Sequence, residues 1–229
     1  MGNFFVPTEG PETWRSLLAV RNKQGKDQYS TKELAVSWDA AKGFPKEVEY
    51  IFKESNIKLL ENLTFIYGFP EYKVPLPGGS TSSQNDLYVL AKSNEELMTI
   101  MVEGKVTDTF GPTLDAWKGD YPSNGKQERL TSLLSKLELD ETSVLNKSYQ
   151  LIHRTASAVI EAENLHAKNA LVLVHSFSVK EKGYEAYADF VELFDIIPAK
   201  NKVVGPYLLN GIKLYFGWVS TRGTNNGEN

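Results

Sequence analysis

The chain of 229 residues contains no cysteine. Disulfides, thiolate metal sites and cysteine nucleophiles are therefore excluded, and the absence is typical of a cytoplasmic protein, because disulfides are rare in that compartment. No stretch approaches the roughly 20 apolar residues that a membrane-spanning helix needs. The first fourteen residues lack the basic start and the long apolar run of a signal peptide. We therefore expect a cytoplasmic protein with no membrane partner.

An excess of positive charge is also missing. The chain has 25 Lys and Arg against 29 Asp and Glu, a net charge of −4, which argues against a protein that coats nucleic acid non-specifically. Hydrophobic content of 41% and charged content of 24% are ordinary for a globular protein of one large domain. We predict a single domain over residues 1–219, with 1–13 as a loose lead-in and the polar tail 220–229 disordered.

The stretch 83–106 is the most informative part of the chain. Its residues 86–91 and 97–106 are rich in Leu, Val, Ile, Tyr and Met, and this composition predicts two strands. The polar segment 92–96 between them predicts a hairpin loop. One face of the second strand is apolar, whereas the other turns ionic at Glu103 and Lys105. We therefore look for chemistry on that second face.

The pairing register decides which charged groups meet there. Glu103 and Lys105 share a face, roughly 6–7 Å apart along the strand, because side chains alternate. If the predicted loop closes evenly, Asp86 lies opposite Val102 and on the wrong face. Moving the loop boundary by one residue places Asp86 opposite Met101 or Glu103. Only a shifted register or a bulge therefore brings the two acids together.

Two carboxylates and a lysine at one point suit metal-assisted chemistry. Hard divalent cations such as Mg²⁺ or Mn²⁺ bind carboxylate oxygens and retain several waters. A neighbouring lysine can orient a water molecule or meet negative charge that develops on a phosphate. The alternative interpretation is an exposed strand end with a cross-strand salt bridge.

The rest of the pattern predicts an α/β fold. Residues 148–166 form an amphipathic helix in which Ile152, Ala156 and Val159 recur at helical spacing. The run ALVLV within 169–178 predicts a strand buried on both faces, which requires helices on both sides of the sheet. Two more strands are predicted, a first one at 63–67 and a last one at LYFGWV, at the end of 205–219, which makes five in all. With the helices before residue 56 and after residue 181, the order predicts a mixed central β-sheet flanked by α-helices.

Two further segments border the predicted hairpin. The loop 75–81 is rich in glycine but has no GK[ST] ending and no helix directly after it, so it is not a phosphate-binding P-loop. We expect it to form a flexible rim. The connection 108–122 carries Trp117, which is either satellite core or a platform on which a base could stack.

Asn85-Asp86, followed by a hairpin and then by Glu103-Gly104-Lys105, resembles the core signature of the PD-(D/E)XK nuclease superfamily. In that superfamily an Asp opens one strand and an acid-x-Lys lies on the next. The stretches KVPLPGGSTSSQNDLYVLA, VEGKV and LIHRTASA also resemble an uncharacterised bacterial family assigned to this fold. This wider resemblance runs from about Trp14 to Trp218. Asn85 replaces the proline that names the motif, a position that the superfamily varies.

The resemblance implies a restriction-endonuclease-like core and a metal-dependent endonuclease. Such an enzyme would hydrolyse phosphodiester bonds by metal-activated water, with nucleic acid as partner and DNA favoured over RNA. Asp86 and Glu103 would bind Mg²⁺ or Mn²⁺. Lys105 would position the water or stabilise the transition state.

Further residues follow from the same resemblance. Gln150 lies near the start of the helix after the hairpin, as does a Gln beside the catalytic lysine in the recombination-nuclease branch. Arg154 replaces the Tyr of that branch and could contact a substrate phosphate in a bidentate way, or serve in a structural salt bridge. Superfamily members often take another acid from a helix before the first core strand, and Glu33, Glu47 and Glu49 are the candidates.

Two other functions stay open. One is a catalytically inactive nuclease-fold protein that binds or assembles. The other is a metal-dependent hydrolase of a small phosphorylated ligand, which a closed acidic pocket would favour, whereas a basic groove leading to Glu103 would favour a polymer. Homodimerisation is also an open option.

Overall fold

The structure, a computed structural model, describes residues 13–14 and 27–221. Its helices are α1 (Asp27–Ala41), α2 (Lys46–Glu54), α3 (Lys58–Glu61), α4 (Leu114–Lys118), α5 (Asn124–Leu137), α6 (Glu141–Val144), α7 (Tyr149–Asn164) and α8 (Tyr184–Val191), with a 3₁₀ turn at Glu192–Phe194. Its strands are β1 (Thr64–Val74), β2 (Ser83–Ser93), β3 (Glu96–Lys105), β4 (Asn169–Ser176), β5 (Lys202–Leu209) and β6 (Ile212–Ser220).

The six strands form one mixed sheet in the order β1-β2-β3-β4-β6-β5. Strands β1, β2 and β3 form an antiparallel meander, β4 pairs parallel with both β3 and β6, and β5 returns antiparallel to β6. This arrangement confirms the predicted α/β class and the mixed sheet. The crossover from β3 to β4 runs through α7, as a parallel connection requires.

Helices cover both faces of the sheet. One apolar core lies between the sheet and α5, α7 and α8, and the other lies between the sheet and α1, α2 and α3. All eight residues of β4 are buried, which confirms the prediction drawn from its continuous apolar run. The side chains of β3 alternate between the two cores, with Met101 in the first and Val102 in the second.

The hairpin register differs by one residue from the even closure. Ser93 pairs with Glu96, so the loop consists only of Asn94 and Glu95, and Asn94 has a φ of 52°. Two-residue hairpin loops favour Asn at such left-handed positions. Ala91 therefore pairs with Met98 rather than with Leu97.

Strand β5 is absent from the sequence prediction. Its chain contains Gly205 and Pro206, which weaken a strand pattern, and the pairing with β6 is irregular between Val204 and Tyr207. Since β5 lies at the edge of the sheet, Pro206 can be accommodated there. Strand β5 is thus a sixth strand, in addition to the five that the pattern predicts.

Within the described residues, no helix is long and apolar enough to cross a membrane. The predicted lead-in falls outside those residues except for Thr13, and the predicted tail falls outside them from residue 222 onward. Strand β6 extends to Ser220, one residue beyond the predicted end of the domain at residue 219.

Candidate active site

The observed register places Asp86 and Glu103 opposite each other. Leu87 pairs with Val102, and the next position of each strand holds one of the two acids. The backbone N–H of Gly104 donates a hydrogen bond of 2.8 Å to Asp86 Oδ2. Asp86 is half-buried, whereas Glu103 is buried. The two carboxyls thus lie on one face at the end of the hairpin, which is the shifted register that the sequence allowed.

Glu103 is the centre of a dense hydrogen-bond network. Its Oε1 accepts hydrogen bonds from Lys105 Nζ at 2.8 Å and from Gln150 Nε2 at 2.7 Å. Its Oε2 accepts one from Arg154 Nε at 2.7 Å. We call Glu103, Lys105, Gln150, Arg154 and Asp86 the Glu103 cluster. The structure therefore brings together all five residues that the sequence and the resemblance indicated first.

Lys105 lies inside the protein, although lysine is almost never buried without a partner. Its Nζ donates to Glu103, to Gln150 Oε1 at 3.2 Å and to Asp108 Oδ2 at 3.3 Å. The ammonium also lies 4.7 Å from the centroid of the Phe110 ring. This environment contradicts the picture of an exposed strand end, since Glu103 and Lys105 form a buried ion pair along one strand.

Helix α7 carries Gln150 and Arg154 to Glu103. The two residues are four apart, so they lie on one face of the helix. Ser148 caps the helix by accepting from Gln150 N, and its hydroxyl donates to the Phe110 carbonyl at 2.6 Å. That second bond ties the first turn of α7 to the segment after β3. The helix start is therefore fixed relative to Lys105.

The charges of this network control its pKa values. Burial alone would raise the pKa of Glu103, but the neighbouring charges of Lys105 and Arg154 lower it to about 2. Burial opposes the charge of Lys105, yet the carboxylates of Glu103, Asp86 and Asp108 hold its pKa above the usual value. Glu103 is thus a carboxylate and Lys105 an ammonium at neutral pH.

Asp86 behaves in the opposite way. Burial, followed by the negative charges of Glu103 and Glu71, raises its pKa well above the usual range. Arg154 and Lys105 compensate only in part. A carboxyl that resists ionisation beside other carboxyls is stabilised when a cation approaches. Asp86 is therefore the member of the cluster that gains most from an added positive charge.

Glu71 belongs to the same site and was missed by the sequence prediction. It lies between Pro70 and Tyr72, whose partners on β2 flank Asp86, so Glu71 is across the strand pair from Asp86. Gln84 Nε2 donates to Glu71 Oε2 at 2.6 Å, while the buried Oε1 has no hydrogen-bond partner among the described residues. The predicted first strand, 63–67, ended before Glu71, whereas β1 continues to Val74.

The backbone and the charge of Glu71 are both unusual. Its φ of 52° is left-handed, a conformation that costs a non-glycine residue free energy and is concentrated at functional sites. Burial, with a contribution from the charge of Glu103, raises its pKa to about 7. The signal that could have found Glu71 is the pairing of β1 with β2, because that pairing places Glu71 across from Asp86.

The donor chemistry of these carboxyls fits a hard divalent cation. Asp86, Glu103 and Glu71 offer only oxygen atoms, which are the ligands that Mg²⁺ and Mn²⁺ prefer. Glu71 Oε1 has no hydrogen-bond partner among the described residues and is therefore available as a ligand. However, no three His, Asp or Glu side chains within residues 13–14 and 27–221 lie close enough together to enclose a metal ion. Both oxygens of Glu103 are engaged by cations or an amide.

The three helical acids lie elsewhere. Glu47 is on the opposite face of the sheet, where its Oε1 accepts from Thr221 at 2.9 Å and lies 3.5 Å from His175 Nε2. Glu33 and Glu49 are exposed on α1 and α2. The structure therefore does not bring Glu33, Glu47 or Glu49 together with Asp86 and Glu103. Glu71 is the additional acid that it does bring there.

A polar pocket of about 350 Å³ adjoins the Glu103 cluster. Ser83 joins the two, since its hydroxyl accepts from Arg154 Nη1 at 3.3 Å, hydrogen-bonds His153 Nδ1 at 2.8 Å and also lines the pocket. Lys126 and Arg129 line it as well, and no carboxylate does so among the described residues. The neighbourhood of Glu103 is therefore basic on this side, and the pocket is not acidic.

Comparison with known families gives one match. A family described as a domain of unknown function, DUF6946, matches residues 7–223. Neither the curated proteins nor the solved structures contain a match to the chain.

Proposed function

We propose that this chain, which belongs to the DUF6946 family, is a metal-dependent nuclease that hydrolyses phosphodiester bonds, with DNA as the favoured substrate. The observation that carries the proposal is the convergence of Asp86, Glu103 and Lys105 at the end of one hairpin, completed by Gln150 and Arg154 from α7. A helix, three antiparallel strands, a crossover helix and a parallel strand are also the order expected of a restriction-endonuclease-like core.

Each residue has a role that follows from its contacts. Asp86 and Glu103 would hold Mg²⁺ or Mn²⁺, with Glu71 as a further acid across the strand pair from Asp86. A cation bound there would supply Lewis-acid stabilisation of the charge on the phosphate. Gln150 and Arg154 hold the Glu103 carboxylate in position through both of its oxygens.

Lys105 is the residue that would act on the reacting atoms. Its ammonium is fixed by three oxygen acceptors and remains charged, so it can stabilise negative charge that develops on the phosphate. The raised pKa makes it unsuited to accept a proton at neutral pH. Of the two roles expected for this lysine, transition-state stabilisation is the one that its environment favours.

The alternative of an inactive nuclease-fold protein also has an observation in its favour. Glu103 is fully paired with Lys105, Gln150 and Arg154, and a paired network of this kind can serve the fold alone. The unpartnered Glu71 Oε1 and the raised pKa of Asp86 favour the active form, since neither helps folding. The hydrolase of a small phosphorylated ligand is less favoured, because the adjoining pocket contains no acid among the described residues.

The test is a cleavage assay on single- and double-stranded DNA and RNA with Mg²⁺, Mn²⁺ or EDTA. We expect metal-dependent cleavage of DNA that Lys105→Met lowers by at least about a hundredfold in kcat, with KM little changed. Lys136→Met is the matched control, since Lys136 is on α5 and pairs with Glu163 at the surface. Circular dichroism establishes that both variants are folded.

Two model substrates separate the remaining alternatives. Bis(p-nitrophenyl) phosphate reports diester hydrolysis, and p-nitrophenyl phosphate reports monoester hydrolysis. Turnover of the monoester alone would replace the nuclease proposal by a phosphatase of small ligands. Absence of any metal-dependent turnover in the wild type would leave the inactive binding protein.

A further inference from the structure

The polar pocket beside the Glu103 cluster has a charge pattern that differs from the rest of the surface. Lysines at five other places pair with carboxylates, namely Lys92, Lys118, Lys136, Lys147 and Lys200. Lys126 and Arg129 form no ion pair with a carboxylate among the described residues. Their side chains donate instead to backbone carbonyls, of residues 117 and 118 and of residues 77 and 81 respectively. Two uncompensated positive charges therefore border one pocket.

Neutral donors surround these charges. The hydroxyl side chains of Thr81, Ser82, Ser83 and Ser123 all line the pocket. Burial, followed by the charge of Arg154, lowers the pKa of His153 well below its usual value, so this ring adds no charge. In a chain of net charge −4, such a concentration of cations and hydroxyls with no acid suits a phosphate group.

The pocket also has an aromatic wall. Trp117 and Tyr149 stack with ring centroids 3.9 Å apart and planes 11° apart, and both rings are half-buried. Aromatic surface next to positive charge is the combination by which proteins bind unpaired nucleotides, because the ring takes the base and the cation takes the phosphate. The volume of about 350 Å³ lies within the range of small-molecule sites, about 300–1,000 Å³.

The wall of the pocket is fixed rather than flexible. Gly78 in the glycine-rich loop packs directly on the first turn of α5, where a Cβ on Gly78 would lie 2.0 Å from the carbonyl oxygen of Gly125. Arg129 closes the same loop from both sides, through Pro77 O at 2.9 Å and Thr81 O at 2.6 Å. The expected flexible rim is thus a preformed surface, which reduces the entropic cost of binding.

We propose that this pocket binds one unpaired nucleotide of the substrate strand, with its phosphate at Lys126 and Arg129 and its base against Trp117 and Tyr149. This inference rests on the proposed nuclease function and names its substrate class as a strand with an unpaired nucleotide. Ser83 and Arg154 place the pocket directly beside Glu103. The bound nucleotide is therefore a neighbour of the bond to be cut.

Tryptophan fluorescence provides a local reporter. Of the four tryptophans, Trp14, Trp38 and Trp218 are fully buried, whereas Trp117 is partly exposed in the pocket. We would titrate the protein in EDTA with thymidine 5′-monophosphate, thymidine and inorganic phosphate. We expect a saturable change with the monophosphate, and binding at least about tenfold weaker for each of its two parts. Trp117→Phe should abolish the signal.

Variants on α5 test the charge. Lys126→Met should weaken binding of the monophosphate about tenfold. Lys136→Met should leave it unchanged, because Lys136 lies seven residues beyond Arg129 on α5 and does not line the pocket. A single-stranded oligonucleotide should displace the monophosphate at a lower concentration than a duplex of the same sequence.

Four results would overturn the proposal: no binding of the monophosphate, equal binding by Lys126→Met, phosphate alone binding as tightly, or equal displacement by the duplex. Because EDTA stops metal-dependent turnover, binding and catalysis are measured separately. Binding without any turnover in the cleavage assay would sink the nuclease function and leave the nucleotide pocket. Turnover without binding of the monophosphate would keep the nuclease function and overturn the nucleotide pocket.

Discussion

Two polar clusters lie on opposite faces of the sheet at the same end, and they differ in how completely they are satisfied. We call Trp38, His175, Thr221 and Glu47, which are joined by hydrogen bonds, the His175 cluster. Gly104 of β3 pairs with His175 of β4, so the Glu103 cluster and the His175 cluster are separated only by the sheet. In the His175 cluster, Trp38 Nε1 donates to His175 Nδ1 at 3.0 Å, and His175 Nε2 contacts Thr221 Oγ1 at 2.7 Å. Both ring nitrogens therefore have partners.

The electrostatics differ in the same sense. Hydrogen bonding with His175 lowers the pKa of Glu47 to about 2, and burial lowers the pKa of His175. At neutral pH that cluster therefore contains one carboxylate and one neutral imidazole. On the other face, burial raises the pKa of both Asp86 and Glu71, and Glu71 Oε1 lacks a partner among the described residues. A closed network indicates a structural tie, whereas carboxyls that resist ionisation in the absence of a counter-ion indicate room for a cation.

The largest expected difference concerns stability. Glu103→Gln removes the carboxylate that the buried Lys105 and Arg154 share and leaves Asp108 as the remaining ion-pair partner of Lys105, so we expect the unfolding free energy to fall by about 3–5 kcal/mol. Glu47→Gln keeps an oxygen acceptor for Thr221 and should cost only about 1 kcal/mol. Urea denaturation of both variants in EDTA measures the two values. Equal losses would mean that the two faces are stabilised alike.

The pH dependence of stability should have opposite signs for Glu71 on one face and His175 on the other. The folded protein holds a proton on Glu71 up to a pKa of about 7, against 4.5 when unfolded, so its contribution to the unfolding free energy falls by about 3 kcal/mol between those pH values. His175 has a folded pKa below 6.5, so the unfolded chain binds the proton first and stability is lost as the pH falls below 6.5.

Each slope can be removed by one substitution. Asp86 acts in the direction of Glu71, and His153 in that of His175, so only the difference from wild type isolates a single group. Urea denaturation between pH 5 and 8 in EDTA should show that Glu71→Gln removes the loss on raising the pH and that His175→Gln removes the loss on lowering it. If Glu71→Gln leaves the pH profile unchanged, Glu71 does not carry the buried proton.

The smallest expected effect is a gain. Asp86→Asn removes a carboxyl that resists ionisation and keeps an oxygen for the Gly104 N–H, so we expect about 0.5–2 kcal/mol of added stability in EDTA. The same variant should lose the rise in melting temperature that Mn²⁺ gives the wild type, because one metal-binding group is gone. An unchanged response to Mn²⁺ would remove Asp86 from the metal site.

The sequence was sufficient for the groups that depend on a single strand or helix. Glu103 and Lys105 share a face because strands alternate, and Gln150 and Arg154 share one because they are four apart on a helix. It was insufficient for Glu71, whose position depends on how β1 continues through Gly68 and Pro70 to pair with β2. Register is likewise a property of two strands, and one loop residue decided whether Asp86 met Glu103.

The contact between Gly78 and Gly125 constrains sequence variation in a way that can be read from a mutant library. A Cβ on Gly125 would lie 2.5 Å from the carbonyl oxygen of Gly78. The backbone at each of the two positions therefore leaves no room for a side chain at the other. Gly111 and Gly211 also have positive φ but no atoms within 4 Å, and asparagine is tolerated at such positions. Selection for folded protein should therefore return glycine alone at 78 and 125 and a mixture of residues at 111 and 211.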